Sequence, residues 1–205
     1  MAGANAALGG HVILTSVDSV EFKAKLARER TQGGGLANRA QTVMLDGTLL
    51  GSPDVPEPLR RSFPHVFVDA PCSGTGTMRR HPEVAWSLEC ASVQGPEAAL
   101  PSLQLRMLAA ASTRVAPGGT LAYSTCSDLR AEDEDVVHAF LASDAGRGFA
   151  PVPVTQAPCV ASLPDGARAV LRGMTDAGGF LRTEGASALG LDCDGHFMAL
   201  MRRVR

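Results

Sequence analysis

Apolar and polar positions follow two rhythms along this chain, one suited to strands and one to helices. HVILTSVD (His11–Asp18) is an apolar, β-branched run that ends on an acid and predicts a strand. Val20–Arg30 follows, with Val20, Lys23, Leu26 and Ala27 at helical spacing, and it stops at the breaker Gly33-Gly34-Gly35. TVMLD (Thr42–Asp46) predicts a second strand, again closed by an acid. The loop Gly51–Arg61, with its prolines and charges, separates it from a third, HVFVD (His65–Asp69). Beyond a looser region around Glu83–Pro101, Ser102–Val115 predicts a helix with Leu103, Met107, Leu108 and Ala111 on one face. APGG (Ala116–Gly119) ends that helix, and TLAYST (Thr120–Thr125) is the fourth strand. Glu132–Ala142 predicts a further helix with Val136, Val137, Phe140 and Leu141 as its buried stripe. The remainder is rich in Gly and Pro until HFMALMRR (His196–Arg203), which alternates like a strand. Strands alternating with helices predict a layered α/β fold, read here as a single domain over residues 1–205.

Composition narrows the class. Hydrophobic residues make up 45% of the 205 positions and charged residues 20%, enough apolar material for a packed core. The longest apolar runs fall far short of the ~20 residues a membrane helix needs, so no membrane partner is expected. Nineteen Lys and Arg stand against 21 Asp and Glu, which argues against a basic nucleic-acid wrapper. Lys23 and Lys25 are the only lysines, a bias that a GC-rich genome accounts for more simply than phosphate recognition does. The five cysteines are widely spaced with no C-x-x-C pair, which argues against a disulfide framework or a zinc site. MAGANAALGG at the start has neither a basic n-region nor an Arg-rich amphipathic pattern, so an intracellular, reducing compartment is expected, cytoplasm or nucleus and nucleolus.

Candidate chemistry gathers at strand ends. In open α/β sheets ligands sit beyond the carboxyl ends of the strands, where Asp18, Asp46 and Asp69 are expected to arrive. An ionised Asp there accepts hydrogen bonds from ribose hydroxyls or an adenine amino group; equally, a strand-end Asp is an ordinary turn former or helix cap. Two segments carry more. FVDAPCSGTGTMRRHPEVAW (Phe67–Trp86) joins a buried strand to an Asp, a rigid Ala-Pro step, Cys72 and then small residues that let backbone approach a ligand. GGTLAYSTCSDLRAEDEDVV (Gly118–Val137) delivers Thr125-Cys126-Ser127 to the same edge and runs into acids, Glu132–Asp135, that suit a helix N-terminus and are given no chemistry. SGTG lacks the G-x-x-x-x-G-K-[ST] of a phosphate loop, which rules out nucleotide hydrolysis of that type. A lone strand-end Cys is usually a small core residue; two of them beside an Asp-Ala-Pro turn point to chemistry.

DAPCSGTGTMRRHPE and YSTCS together resemble the Nop/Sun family of S-adenosylmethionine-dependent RNA cytosine-5 methyltransferases. The resemblance runs from the strand at Asp18, through Gly35–Asn38 (G-x-x-N) and Asp46, to DGHFMALMRR, which is similar to the family's closing D-G-F-F strand. It implies a Rossmann-like class I methyltransferase sheet, S-adenosylmethionine as cofactor, and ribosomal or transfer RNA as partner. It places Cys126 at the catalytic nucleophile and Cys72 at the second cysteine, which assists release of the methylated RNA. Asp69 falls at the acid that contacts the target cytosine beside the cofactor, and Asp18 and Asp46 at positions that bind the cofactor's ribose and adenine. The chemistry needs these types: cytosine C5 is a poor nucleophile until a thiolate adds at C6 and makes the ring an enamine. The target base must also be unstacked; Arg79, Arg80, Arg60 and Arg61 are candidate phosphate contacts, with solvated surface arginines as the plainer reading.

One part of the family pattern is not found. The D-x-C-A-A-P-G-G-K type of loop, which wraps the methionine end of the cofactor after a first, central strand, has no counterpart upstream of Asp18, where Gly3–Gly10 looks like the end of the helix that follows it. The expected sheet therefore lacks its first strand and Gly-rich cofactor loop, and the family's N-terminal RNA-binding module is not found either. Three explanations follow: the chain is the C-terminal part of a longer protein, it is a degenerate protein turned to scaffolding, or an N-terminal segment or partner chain completes the cofactor site. The rival to an enzyme is thus an inactive, methyltransferase-like RNA-binding or ribosome-assembly scaffold.

Overall fold

The computed structural model describes residues 13–33, 39–87, 99–183 and 193–205. His11 and Val12 of the first expected strand, the Gly3–Gly10 segment and the Gly35–Asn38 motif lie outside the described residues. The chain divides into two compact units, Met1–Arg61 and Ser62–Arg205.

In the first unit, β1 (Leu14–Asp18) and β2 (Ala40–Met44) pair in parallel, Leu14 opposite Ala40 and Asp18 opposite Met44. Parallel neighbours need a crossover, and α1 (Glu21–Gly33) lies between them in sequence, with Glu21 in its first turn and Arg30 in its last to suit the helix dipole. Both acids at this end make turns. Asp18 accepts a hydrogen bond from the Val20 N–H at 2.8 Å on the way into α1. Asp46, two residues past β2, caps a 3-10 turn over Gly47–Leu49 by accepting from the N–H and hydroxyl of Thr48 at 2.9 and 2.8 Å.

The second unit is built on a sheet in the order β3–β4–β7–β5, with β6 also on β7. Its strands are β3 (Phe63–Asp69), β4 (Val115–Thr125), β5 (Phe149–Val152), β6 (Leu181–Arg182) and β7 (Phe197–Arg203). Only β3 and β4 are parallel; β7 runs against β4, β5 and β6. Helix α2 (Val84–Ser87) is a single turn, and α3 (Ala99–Ser112), α4 (Glu134–Ala142) and α5 (Asp165–Gly173) complete the unit. Strand periodicity sets the core: Leu121, Tyr123 and Thr125 of β4 are buried, as are Phe197, Ala199 and Met201 of β7, and they face each other in register. Val137 and Phe140 of α4 and Leu108 of α3 are fully buried too. Tyr123 and Phe180 both meet the Phe197 ring edge-on, at centroid distances of 6.3 and 5.6 Å.

The pattern along the chain located β3, β4, α3, α4 and β7, with three differences. Helix α3 ends at Ser112, and β4 already starts at Val115. APGG is therefore an irregularity inside the strand: Phe63 pairs with Val115, but His65 pairs with Thr120. Gly118, at φ +74°, lets the extra residues loop out where a side chain would be strained. The stretch taken for Gly- and Pro-rich remainder holds β5, α5 and β6. Finally, α4 begins at Glu134, two residues later than its polar pattern suggests, and the two acids before it have another use.

That use begins with Arg182 of β6, which fastens the strand to the start of α4. Its guanidinium reaches Asp133 at 2.9 Å and Glu134 at 2.7 Å, donates to the Asp128 carbonyl at 3.3 Å, and lies 5.4 Å over the Phe197 ring. The Asp133 side chain is fully buried and that of Arg182 is 16% exposed, so loss of the cation strands a charge in the interior. Arg182→Ala is expected to cost about 3–5 kcal/mol of folding stability, read as a lower urea midpoint at unchanged slope.

Candidate active site

The carboxyl ends of β3 and β4 carry the two cysteine segments. In the parallel register Asp69 lies opposite Ser124, and the next ladder bond runs from the Ala70 N–H to the Ser124 carbonyl at 3.0 Å. Cys126 leaves β4 one residue beyond its end, while the chain after β3 turns through Pro71 and comes back. The result is a contact of 3.1 Å between the sulfurs of Cys72 and Cys126. The Cys126 N–H also points at the Cys72 sulfur, at 3.3 Å. Both thiols are half-buried.

Glycine makes this turn possible. The Gly76 N–H donates to the Cys126 carbonyl at 3.0 Å, and the Gly76 carbonyl accepts from the Gly195 N–H at 2.8 Å. A Cβ on Gly76 would sit 2.3 Å from the Gly195 carbonyl oxygen, which leaves no room for any side chain. The small residues of SGTG thus let the chain before β7 pack directly on the turn under Cys126.

Beneath the thiols lies a buried polar network. Ser127 is fully buried; its hydroxyl lies 3.1 Å from that of Ser73 and 3.2 Å from that of Thr75. Thr75 in turn accepts from the Asp128 N–H at 2.9 Å. Glu132, fully buried, accepts from the Ser73 N–H at 2.9 Å, the Gln104 amide at 2.8 Å and the Ser127 hydroxyl at 3.0 Å. Asp133, also buried, accepts from the Thr125 hydroxyl, and burial pushes its carboxyl up to about 7 despite that bond and Arg182. The acids Glu132 and Asp133 were expected only to complement a helix N-terminus. They stand before the helix instead, turned inward, and only Glu134 and Asp135 occupy its first turn. Nothing in their spacing distinguishes inward acids from outward ones; burial does.

The other residues expected at the site are placed as follows. Asp69 is exposed at the end of β3, and its charge is felt at Cys126. Asp18 and Asp46 belong to the first unit, at the carboxyl end of its parallel pair. Arg79 and Arg80, each about half exposed, are gathered by Asp194, which Arg80 holds below the usual carboxylate range. Arg60 and Arg61 are exposed, Arg60 donating to the Val55 carbonyl at 3.0 Å.

The thiols differ electrostatically. A hydrogen bond from Cys72 favours the Cys126 thiolate and pulls that thiol from the ordinary 9.0 down to about 7, against burial and the charges of Asp69 and Glu132. The same bond, with burial, pushes Cys72 up, so Cys72 keeps its proton. The pair therefore reads as one thiolate held by one thiol donor. Alkylation of Cys126 by iodoacetamide, mapped by peptide mass spectrometry, should rise with pH around a midpoint of about 7. In Cys72→Ala the donor is gone and the midpoint should climb towards 9. The lost thiolate fraction outweighs the gain in intrinsic nucleophilicity, so the rate at pH 7 should fall about five- to tenfold.

Comparison with known proteins gives this geometry a family. Ribosomal RNA small subunit methyltransferase B of Salmonella newport (strain SL254) is 37% identical over 106 residues, 52% of this chain and 24% of that protein. The matched region is thus about a quarter of the length of such relatives. Among solved structures, NSun6 from Pyrococcus horikoshii with SFG is similar in fold, covering 94% of this chain and 42% of that one at 20% identity and a TM-score of 0.67. A methyltransferase homolog protein from the same organism covers 93% and 53%, at 20% identity and a TM-score of 0.60. These likenesses show the fold expected from the sequence, the Rossmann-like class I methyltransferase α/β fold. Residues 11–180 match the family described as 16S rRNA methyltransferase RsmB/F, in agreement with the Nop/Sun resemblance of the two cysteine segments. By that match, which takes in both cysteines and all three aspartates, the chain belongs to the RsmB/F family of 16S rRNA methyltransferases.

Proposed function

We propose that this chain is catalytic material of an S-adenosylmethionine-dependent RNA cytosine-5 methyltransferase that acts on ribosomal RNA through a covalent bond between Cys126 and cytosine C6. The observation that carries the reading is the thiol pair: two sulfurs 3.1 Å apart at adjacent parallel strand ends, one favoured as thiolate and the other as thiol. A scaffold has no use for such a pair. The family description supports ribosomal over transfer RNA. The bacterial source of the relatives favours the cytoplasm over a nucleus or nucleolus. No helix among the described residues is long and apolar enough to cross a membrane. The family match runs across both units, which supports treating residues 1–205 as one catalytic domain.

Each residue then has a task. The Cys126 thiolate adds to C6, and the ring electrons shift towards N3, where Asp69 is the candidate to hold the cytosine. S-adenosylmethionine, when bound, supplies an electrophilic methyl on sulfonium for C5 to attack. The C5 proton then leaves to a base, the C5–C6 double bond re-forms, and the bond from C6 to the Cys126 sulfur breaks. Cys72 keeps its proton and can donate a hydrogen bond to the departing thiolate, the same bond it makes at rest. Asp18 and Asp46 fit a cofactor by donor chemistry, because acceptor-only carboxylates at a parallel strand end match ribose hydroxyls and an adenine amino group. Arg79 and Arg80, each about half exposed beside the turn that carries Cys72, present guanidinium groups of the kind that suit a phosphate backbone.

The test is a trap. Cys72→Ala, incubated with S-adenosylmethionine and a 16S rRNA transcript, should accumulate a protein–RNA band that survives denaturation, and Cys126→Ala added to it should abolish the band. No such band, from this chain or from one joined to the N-terminal portion of the Salmonella relative, overturns the enzyme reading.

A further inference from the structure

Among the described residues, Glu132 is the one carboxylate that touches the neighbours of both cysteines and neither sulfur. Its Oε2 accepts from the Ser73 N–H at 2.9 Å, on the residue after Cys72, and from the Gln104 amide at 2.8 Å. That same amide nitrogen also donates to the carbonyl of Pro71, the residue before Cys72, at 2.9 Å. Its Oε1 accepts from the hydroxyl of Ser127, the residue after Cys126, at 3.0 Å. The Glu132 backbone is itself pinned, its carbonyl accepting from the buried Tyr123 hydroxyl at 2.6 Å. A fully buried carboxylate is costly unless its lone pairs are filled, and here they are filled by groups from three separate segments. If shape were all that mattered, an apolar side chain of similar size would serve.

We propose that Glu132 is a positioning residue for the thiol pair: its carboxylate ties the backbone after Cys72 to the side chain after Cys126, and so holds the two sulfurs in their contact of 3.1 Å. The inference deepens the reading of Cys126 as nucleophile and Cys72 as release group, and rests on it for its meaning in catalysis. Its geometric content is testable without cofactor or RNA, so a failed methyl transfer and a failed clamp are separate results.

The readout is the pH midpoint of Cys126 alkylation in the whole chain, with thermal melting as the control for folding. The charged groups that act on Cys126 are Asp69, at the end of β3, and Glu132 itself, and both oppose the thiolate. This fixes the signs. If Glu132 holds the pair together, Glu132→Ala loses the Cys72 donor and the midpoint rises by about one unit or more. Glu132→Gln restores it, since the amide oxygen can accept from Ser73 and Gln104 while its NH2 donates to the Ser127 hydroxyl. If Glu132 acts only through its charge, both variants lower the midpoint. If it acts only as packing, melting changes and the midpoint does not. Either of the last two results overturns the proposal. Should Glu132→Ala fail to fold, Glu132→Asp keeps the charge and draws the carboxylate back from Ser73 and Ser127; a midpoint raised in that variant supports the proposal and an unchanged one overturns it.

Discussion

Parallel pairing between β3 and β4, in one register from His65 opposite Thr120 to Asp69 opposite Ser124, places the two sulfur atoms, and most of what surrounds them follows. Side chains alternate across a strand, so a slip by one residue would turn Leu121, Tyr123 and Thr125 out of the core together with every group beyond them. The buried stripe therefore enforces the register with far more apolar surface than the site itself contains. From that fixed point the chain needs only two short turns, one through Pro71 and one through Ser127, to bring sulfur to sulfur. The turns are not held by apolar packing. They are held by hydroxyls, amides and carboxylates buried in the gap, where each bond is stronger than in water and each vacancy would be costly.

That division of labour explains how much of the molecule was legible along the chain. Apolar rhythm reports which face of an element is buried, and it located β3, β4, α3, α4 and β7 together with the edge where Cys72 and Cys126 emerge. The strand-end position of both cysteines was visible because strands end where the rhythm stops. The network beneath them was not, because Glu132 and Asp133 are written in the same letters as the exposed acid Asp135 that follows. Whether a carboxylate points in or out depends on Gln104, Thr125 and Arg182, partners between 8 and 49 positions away. Short elements were also hidden. Strand β6 is two residues long, too few for any period to show, and it exists because Phe197–Met198 offers it a ladder.

Asp18 and Asp46 show the opposite case, in which the turn-forming reading does not exclude the ligand-binding one. Each was expected either as a ligand-binding acid or as an ordinary turn former. Each does form its turn, by accepting the N–H two residues ahead. A carboxylate employed this way is fixed in direction, and a fixed acceptor at a strand end recognises a hydroxyl better than a mobile one, because less freedom is lost on binding.

Strand β7 pairs with β4, β5 and β6, yet of the strands among the described residues it comes latest in the chain. On a ribosome that emits the chain in order, β3 and β4 are complete long before Phe197 emerges. Until then β4 offers a bare edge, and the buried faces of α3 and α4 have only part of their sheet to pack on. Closure is therefore late and non-local, the kind of step that slows folding and exposes unpaired strand to other chains in the meantime. The cell meets this half of the molecule first as an open sheet, and a chaperone that shields the β4 edge would act on it during synthesis rather than after.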